Sequence, residues 1–214
     1  MTHDACGRLY QAEEITAAIE ATPGVDYIRS QDVIADAVEL LQAGKMLGWF
    51  DGCSELGPRA LGQRSIVCDP RHADAKERLN NRIKKREGFR PFAPAVLLEE
   101  VRHWFEMDHE DPASPFMLRI CRFRPEKTTE VPAVVHVDNS GRLQTLTPQA
   151  NGRFYALVKK FYEQTGVPML LNTSFNVQGE PIVETPDDAI RCLLSSGLDA
   201  CVFADRIAFK SVRW

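Results

Sequence analysis

Positively charged side chains are concentrated in one part of this chain. Between Arg59 and Arg90 there are ten lysines and arginines and four acids, a local net charge of +6, although the 214-residue sequence carries a net charge of −4. A local excess of this kind indicates a local anionic partner. Arginine binds phosphate oxygens with two parallel hydrogen bonds and lysine supplies a compact charge, so the chemistry predicted is phosphate recognition.

The densest part of the excess is IKKREGFRPFAP at 83–94, which contains Lys84, Lys85, Arg86 and Arg90. Neighbouring phenylalanines and prolines would wall these charges with apolar surface and strengthen their attraction for an anion. The alternative is the solvated end of a helix, where cations suit the helix dipole. Composition leaves both interpretations open.

Three further segments carry polar side chains suited to binding. GPRALGQRS at 57–65 places Arg59 and Arg64 in a loop whose glycines allow close backbone approach to a ligand. LLNTSFN ends a buried strand with Asn172, Ser174 and Asn176, and open α/β sheets bind ligands at such strand ends. Each segment is also compatible with a purely structural loop or turn.

HVDNSGRLQT, which contains Arg142, is the third segment. Strand alternation would put His136 and Asp138 on one face of a strand before a hairpin turn. A structural turn is the default interpretation, since a histidine at a strand end is usually only hydrogen-bonded.

Several common sites are excluded by spacing. The sequence has no GxxxxGK[ST], GxGxxG or GxSxG motif, so any phosphate site must be built from side chains. The six cysteines are too far apart for CxxC motifs, and the histidines lack metal-ligand spacing, so no metal site made by the protein alone is expected. No apolar run is long enough to span a bilayer and no signal peptide is recognised, which predicts a cytoplasmic location.

Periodicity predicts how these segments are positioned. Helices are expected around Ile15 to Ile19, at 30–44 with Ser30 as N-cap, and at 73–85, 99–105, 153–166 and 185–197. Strands are expected at 45–50, 64–68, 91–98, 114–120, 132–138, 142–147, 167–172, 199–204 and 206–210. The interleaved order predicts an α/β (α+β) fold, a twisted mixed β-sheet with flanking helices.

Five segments taken in order resemble the C-terminal domain of the NodU-type carbamoyltransferases, which include tobramycin and cephamycin carbamoyltransferases. They are GWFDGCSELGPRALGQRSI, NNRIKKREGFRPFAPAV, VHVDNSGRLQT, LLNTSFNVQGEPIVETPDDAI and SGLD. The resemblance runs from about Ala35 to Lys210. It implies a YrdC-like domain at 31–214 after a lead-in or linker at 1–30, without the N-terminal Kae1-like domain of that family.

The resemblance implies the adenylating half of an O-carbamoyltransferase. Such a domain would bind carbamoyl phosphate and ATP, with Mg²⁺ carried by ATP, and form carbamoyl adenylate with release of pyrophosphate. A separate Kae1-like partner domain would then transfer the carbamoyl group to an acceptor hydroxyl that the sequence does not identify. RNA binding, or a non-catalytic docking module with a basic cleft, is the alternative.

The same resemblance assigns the site residues. The catalytic set is Lys84, Lys85, Arg86 and Arg142. The set that binds carbamoyl phosphate and ATP is Arg59, Arg64, Arg90, Asn172, Ser174 and Asn176. Spacing does not decide which of the two lysines faces the site.

Overall fold

A nine-stranded mixed sheet dominates the computed structural model, which describes residues 4–107 and 110–211. The strands are β1 (Ala5–Leu9), β2 (Val25–Arg29), β3 (Leu47–Phe50), β4 (Cys53–Glu55), β5 (Arg64–Cys68), β6 (Ala93–Leu97), β7 (Arg119–Arg122), β8 (Ser140–Leu146), β9 (Met169–Ser174), β10 (Ala200–Phe203) and β11 (Arg206–Lys210). The main sheet has the order β2-β11-β10-β3-β5-β9-β6-β8-β7, and β1 pairs with β4 separately. The β10–β3 and β6–β8 pairs are parallel and the others are antiparallel.

Helices cover this sheet and close the core. They are α1 (Ala12–Glu20), α2 (Val33–Gln42), α3 (Ala75–Leu79), α4 (Val101–Trp104), α5 (Pro148–Thr165) and α6 (Pro186–Ser195). Helix α2 packs against α5, and α1 packs against α6. Strands β3, β5 and β6 are buried along their whole length, as expected for the centre of a covered sheet. The predicted fold class is therefore confirmed.

Local sequence signals explain most helix boundaries. Thr185 caps α6 by accepting a hydrogen bond from the Asp188 N–H at 3.1 Å, as predicted. The N-cap of α2 is Asp32, which accepts from the Ala35 N–H at 3.1 Å, so the prediction of Ser30 was wrong. The hydroxyl of Ser30 instead donates to the Asp36 carboxylate at 2.5 Å. A carboxylate at the N-cap is also stabilised by the positive end of the helix dipole.

The segment expected to be a lead-in is folded against the rest of the chain over its described part, 4–30. Strand β2 pairs with β11 at the edge of the main sheet. Ile15 and Ile19 on α1 are buried in the same core as the central strands. The amphipathic α1 needs an apolar surface to cover it, and α6 provides that surface.

The predicted strand at 132–138 is wrong, since these residues form turns rather than a ladder. The His136 N–H donates to the Ser140 carbonyl at 2.8 Å and the Asn139 N–H donates to the His136 carbonyl at 3.0 Å. Asn139 adopts a left-handed φ of 62°. This tight loop precedes β8, so strand alternation does not place His136 and Asp138 on one face.

In the described part of the chain, no helix is long and apolar enough to cross a membrane.

Candidate functional site: an arginine-lined cavity

A cavity of about 450 Å³ lies beside the carboxyl end of β9. Its walls come from the loop after β4, the loop before β6, strands β7 and β8, and the end of β9. Six of the predicted site residues line it: Arg59, Arg86, Arg90, Arg142, Asn172 and Ser174. The fold thus brings together residues separated by more than a hundred positions in the sequence.

The charges lining this cavity are all of one sign. No aspartate or glutamate is among its described lining residues. Burial lowers the pKa of Arg142, and the nearby Arg59 charge lowers it further. Burial likewise lowers the pKa of Arg86, with an added effect of Arg90. Because these guanidinium groups lower one another's pKa and no described carboxylate lines the cavity, the cavity favours an anionic ligand.

Asn80 shapes the loop that carries Arg86 and Arg90. Its buried side chain accepts a hydrogen bond from Arg86 Nε at 2.8 Å and donates to the carbonyls of Gly88 at 3.2 Å and Arg90 at 3.1 Å. Asn80 begins a π-helical turn, Asn80–Lys84, which continues α3. The predicted helix at 73–85 therefore changes character halfway, a feature often found at functional sites.

A second set of hydrogen bonds holds the loop that carries Arg59. The Glu55 carboxylate accepts from the backbone N–H groups of Leu61 and Gln63, each at 2.7 Å, and burial raises the pKa of Glu55. Gly62 has a φ of 115°, and a Cβ there would lie 2.3 Å from the ring of Phe154. The last glycine of GPRALG is therefore required by both backbone conformation and packing.

Lys84 faces inward but lies outside the cavity lining. Its ammonium donates to the Ser174 carbonyl and the Asn176 Oδ1, both at 2.7 Å, and to the Asn176 carbonyl at 3.0 Å. Burial lowers the pKa of Lys84 to about 7. Lys85 is exposed, with a left-handed φ of 44°. Lys84 is therefore the inward lysine of the pair, and it ties the π-helical turn to the end of β9.

Arg64 does not contribute to the cavity either. It is fully buried, its guanidinium carbon lies 3.6 Å from the centre of the Phe50 ring, and Nη1 donates to the Asp51 carbonyl at 2.8 Å. Asn176, which binds Lys84, also lies outside the cavity lining. The structure thus leaves Arg64, Lys84, Lys85 and Asn176 of the predicted set outside this cavity.

His136 is a cavity residue that sequence reasoning treated as structural. Burial lowers the pKa of its imidazole, and its Nε2 has no hydrogen-bond partner among the residues described. The only sequence signal for a functional role of His136 was its position six residues before Arg142, in one of the five segments that carry the family resemblance. Periodicity could not reveal it, since it lies in an irregular loop. Met117, Ile120 and Thr173 also line the cavity and were not predicted, whereas Phe92 lines it as expected of the apolar residues beside the charges.

Comparisons with known proteins show the family to which this sequence is similar. Residues 38–210 match the family described as Carbamoyltransferase C-terminus. Nodulation protein NolNO of Sinorhizobium fredii is 44% identical over 186 residues, which are 87% of this chain and 27% of that protein. The 3'-hydroxymethylcephem-O-carbamoyltransferase of Amycolatopsis lactamdurans is 38% identical over 165 residues, 77% of this chain and 31% of that enzyme. This chain therefore spans about a third or less of the length of these relatives.

Among solved structures, full-length HypF in its phosphate- and nucleotide-bound form is similar in fold. The TM-score is 0.56 at 18% identity, and the match covers 90% of this chain and 23% of HypF. At this identity the likeness concerns the fold alone.

Proposed function

This chain belongs to the carbamoyltransferase C-terminus family, and from that membership we propose that its cavity binds carbamoyl phosphate and the phosphates of ATP. The observation that carries the proposal is the cluster of Arg59, Arg86, Arg90 and Arg142 without a lining carboxylate among the described residues. A volume of about 450 Å³ suits a small ligand rather than a polymer backbone, which favours this function over RNA binding. The name of the HypF structure, a phosphate- and nucleotide-bound form, adds support through the shared fold.

The charges to be neutralised explain the number of arginines. Carbamoyl phosphate and ATP together carry about six negative charges, and two unit charges 4 Å apart interact by about 4 kcal/mol at an effective dielectric of 20. Guanidinium groups fixed on separate loops and strands can contact different phosphates at the same time. Because no described carboxylate lines the cavity, Mg²⁺ would arrive with ATP and be held by its phosphates and by water.

The proposed reaction forms carbamoyl adenylate. Water first cleaves carbamoyl phosphate to carbamate and inorganic phosphate. A carbamate oxygen then attacks the α-phosphorus of ATP, and a new O–P bond forms as the bond from the α-phosphorus to the bridging oxygen breaks. The electron pair of that bond leaves with pyrophosphate. Such a step needs in-line placement and stabilisation of developing charge rather than a protein nucleophile. Arg86 and Arg142 are the groups proposed to stabilise this charge, because they are the half-buried arginines of the cavity.

Residues around Lys84 would act indirectly. The Lys84 ammonium donates hydrogen bonds to the Ser174 carbonyl and to the Asn176 side chain. Ser174 itself lines the cavity. We therefore assign Lys84 and Asn176 a positioning role at the end of β9, and the exposed Lys85 receives no role in the reaction. Transfer to an acceptor hydroxyl is proposed to need a Kae1-like partner domain, consistent with the greater length of the relatives.

The experiment that tests this function is exchange of labelled pyrophosphate into ATP by this chain. We expect exchange that depends on carbamoyl phosphate and is lost in Arg142→Ala. The matched control is Arg29→Ala on the edge strand β2, at the other end of the main sheet, which should exchange normally. Exchange that does not require carbamoyl phosphate, or no exchange at all, would contradict the proposed adenylation.

A further inference from the structure

Two buried amide side chains meet on one face of the main sheet, beside the cavity. Asn172 on β9 is 1% exposed and Gln144 on β8 is 0% exposed. Strand β6 lies between their strands, with Ala93 paired to Asn172 and Ala95 paired to Gln144. The small alanine side chains leave room above β6, and there Asn172 Nδ2 donates to Gln144 Oε1 at 2.7 Å.

Backbone carbonyls fix the orientation of both amides. Gln144 Nε2 donates to the Leu61 carbonyl at 2.7 Å, and Asn172 Nδ2 donates to the Ala60 carbonyl at 3.1 Å. A carbonyl can only accept, so each side chain must turn its NH₂ group toward the 60–61 loop. Both N–H bonds of Asn172 are then used, one by Ala60 and one by Gln144. If either amide group were rotated by 180°, its oxygen would face another carbonyl oxygen, and neither could donate a hydrogen bond.

The one atom left over on Asn172 is an acceptor. Its Oδ1 is buried and has no hydrogen-bond partner in the described part of the chain, while the residue lines the cavity. A buried acceptor without a donor is unfavourable and rare in folded proteins. Phosphate oxygens cannot satisfy it, because they are acceptors as well. Both N–H bonds of Asn172 are already used, so its amide does not donate to a phosphate oxygen either.

We propose that Asn172, held in this orientation by Gln144, accepts a hydrogen bond from the NH₂ group of a carbamoyl ligand and so determines specificity. The inference rests on the proposed function, since that function supplies the carbamoyl group. Acyl phosphates that lack an N–H at this position would leave Oδ1 unpaired. Asn172 thus distinguishes a carbamoyl group from an acetyl group of nearly the same size and shape.

The position of Arg142 agrees with this assignment. Arg142 and Gln144 are two residues apart on β8, so their side chains lie on the same face of the strand. A guanidinium for the phosphate therefore lies close to the amide pair that presents the acceptor. A ligand with a phosphate at one end and an amide nitrogen a few bonds away matches that arrangement.

The test compares carbamoyl phosphate with acetyl phosphate, in which a methyl group replaces the NH₂ group. Dissociation constants for both, and for inorganic phosphate, are measured by titration calorimetry on the full chain. We expect the wild type to bind carbamoyl phosphate about tenfold or more tightly than acetyl phosphate. In Asn172→Leu and Gln144→Met the ratio of the two constants should fall toward one. The matched control, Gln149→Met on the exposed start of α5, should keep the wild-type ratio.

The ratio separates specificity from folding and from phosphate affinity, because a general weakening affects both ligands equally. Equal affinity of the wild type for the two acyl phosphates would overturn this inference while leaving the proposed phosphate site intact. An unchanged ratio in both variants would also overturn it. If the wild type binds neither the acyl phosphates nor inorganic phosphate, the proposed function itself fails.

Discussion

Arg64 is fully buried and Arg142 is half-buried, and their surroundings differ in kind. Around Arg64, Nη1 lies within 3.1 Å of the Asp51 and Gln63 carbonyls and Phe50 stacks against the guanidinium. The neighbouring charges include the Glu184 and Glu55 carboxylates, although Nη2 has no hydrogen-bond partner in the described structure. Around Arg142, Nε has no hydrogen-bond partner in the described structure and the neighbouring charge is another arginine. The comparison teaches that burial alone does not mark a ligand site. What marks it is a cation whose neighbouring charge is another cation rather than a carboxylate.

The same contrast holds for ion pairs. Outside the cavity, Arg71 pairs with Asp69 at 2.6 Å and Arg153 pairs with Asp51 at 2.7 Å. None of the ion pairs within the described ranges involves an arginine of the cavity. No described carboxylate lines the cavity, although Glu87 lies close enough to Arg86 to raise the pKa of that guanidinium, and the cavity arginines remain available for a ligand.

The largest effect is expected from removing Arg64. Arg64→Leu would leave the Asp51, Gly52 and Gln63 carbonyls without their shared donor, so the free energy of unfolding should fall by roughly 3 kcal/mol or more. Urea unfolding followed by circular dichroism measures this loss. Arg59→Ala in the cavity is the matched comparison and should unfold at the wild-type urea concentration. Equal destabilisation by Arg64→Leu and Arg59→Ala would contradict the distinction between the core environment of Arg64 and the cavity.

Arg142→Ala and Arg86→Ala should show the converse behaviour. Each removes charge-assisted hydrogen bonds to the ligand, so affinity for carbamoyl phosphate or ATP should fall by about 10- to 100-fold. Arg142→Ala should retain stability, since relief of repulsion from Arg59 offsets lost packing. Arg86→Ala also removes the donor to Asn80, so its free energy of unfolding should fall by about 1 kcal/mol. Calorimetric titration measures the affinity. Unchanged binding in both variants would remove these residues from the site.

Asn80→Ala should have a smaller, indirect effect. Without this amide the carbonyls of Gly88 and Arg90 and the guanidinium of Arg86 lose their common partner, and the loop can rearrange. We expect phosphate affinity to fall by roughly fivefold and the free energy of unfolding by about 1 kcal/mol. The exposed neighbour offers the control, Asn81→Ala, which should change neither quantity. A loss of stability without any loss of affinity would show that Asn80 supports the fold only.

The smallest effect concerns pH. Burial lowers the folded-state pKa of His136 below its usual value near 6.5. Between these two pKa values the unfolded chain binds more protons than the folded chain, so the free energy of unfolding should fall as pH is lowered through 6.5. Because His136 is only half-buried, its contribution should stay below about 1 kcal/mol.

The measurement for His136 is the difference in urea midpoint between the wild type and His136→Gln at pH 7.5 and pH 5.5. The wild type should lose more stability than the variant on acidification. Inorganic phosphate should reduce the extra stability that the wild type loses on acidification relative to His136→Gln, since an anion in the cavity favours the protonated imidazole. Parallel losses in the two proteins, with and without phosphate, would contradict the assignment of His136 to the cavity.

Local patterns predicted much of the fold. The apolar spacing of Phe154, Leu157 and Phe161 placed the buried face of α5, and β5 was predicted with its observed limits. These features depend on residues close together in the sequence. The loop at 132–138 was predicted as a strand because its apolar alternation is strand-like, whereas its backbone forms turns that alternation cannot reveal.

The candidate site was only partly predictable, because its geometry depends on distant contacts. Arg59 and Arg64 lie in one short motif, but the first faces the cavity and the second faces carbonyls of the core. Nothing in the spacing of GPRALGQRS distinguishes them. Gln144 was not singled out at all, since its partners, Asn172 and Leu61, are 28 and 83 positions away. The π-helical turn that points Lys84 inward is equally invisible to a periodicity of 3.6 residues.

The central claim is that the unpaired arginines form one anion site for a carbamoyl-bearing ligand. A crystal structure of this chain with phosphonoacetamide, a stable analogue that keeps both the phosphate charge and the amide, tests it most directly. The account predicts phosphonate oxygens within about 3 Å of guanidinium nitrogens of Arg86 and Arg142, with the amide nitrogen near Asn172. Analogue bound elsewhere on the protein, with the cavity left to solvent, would contradict it.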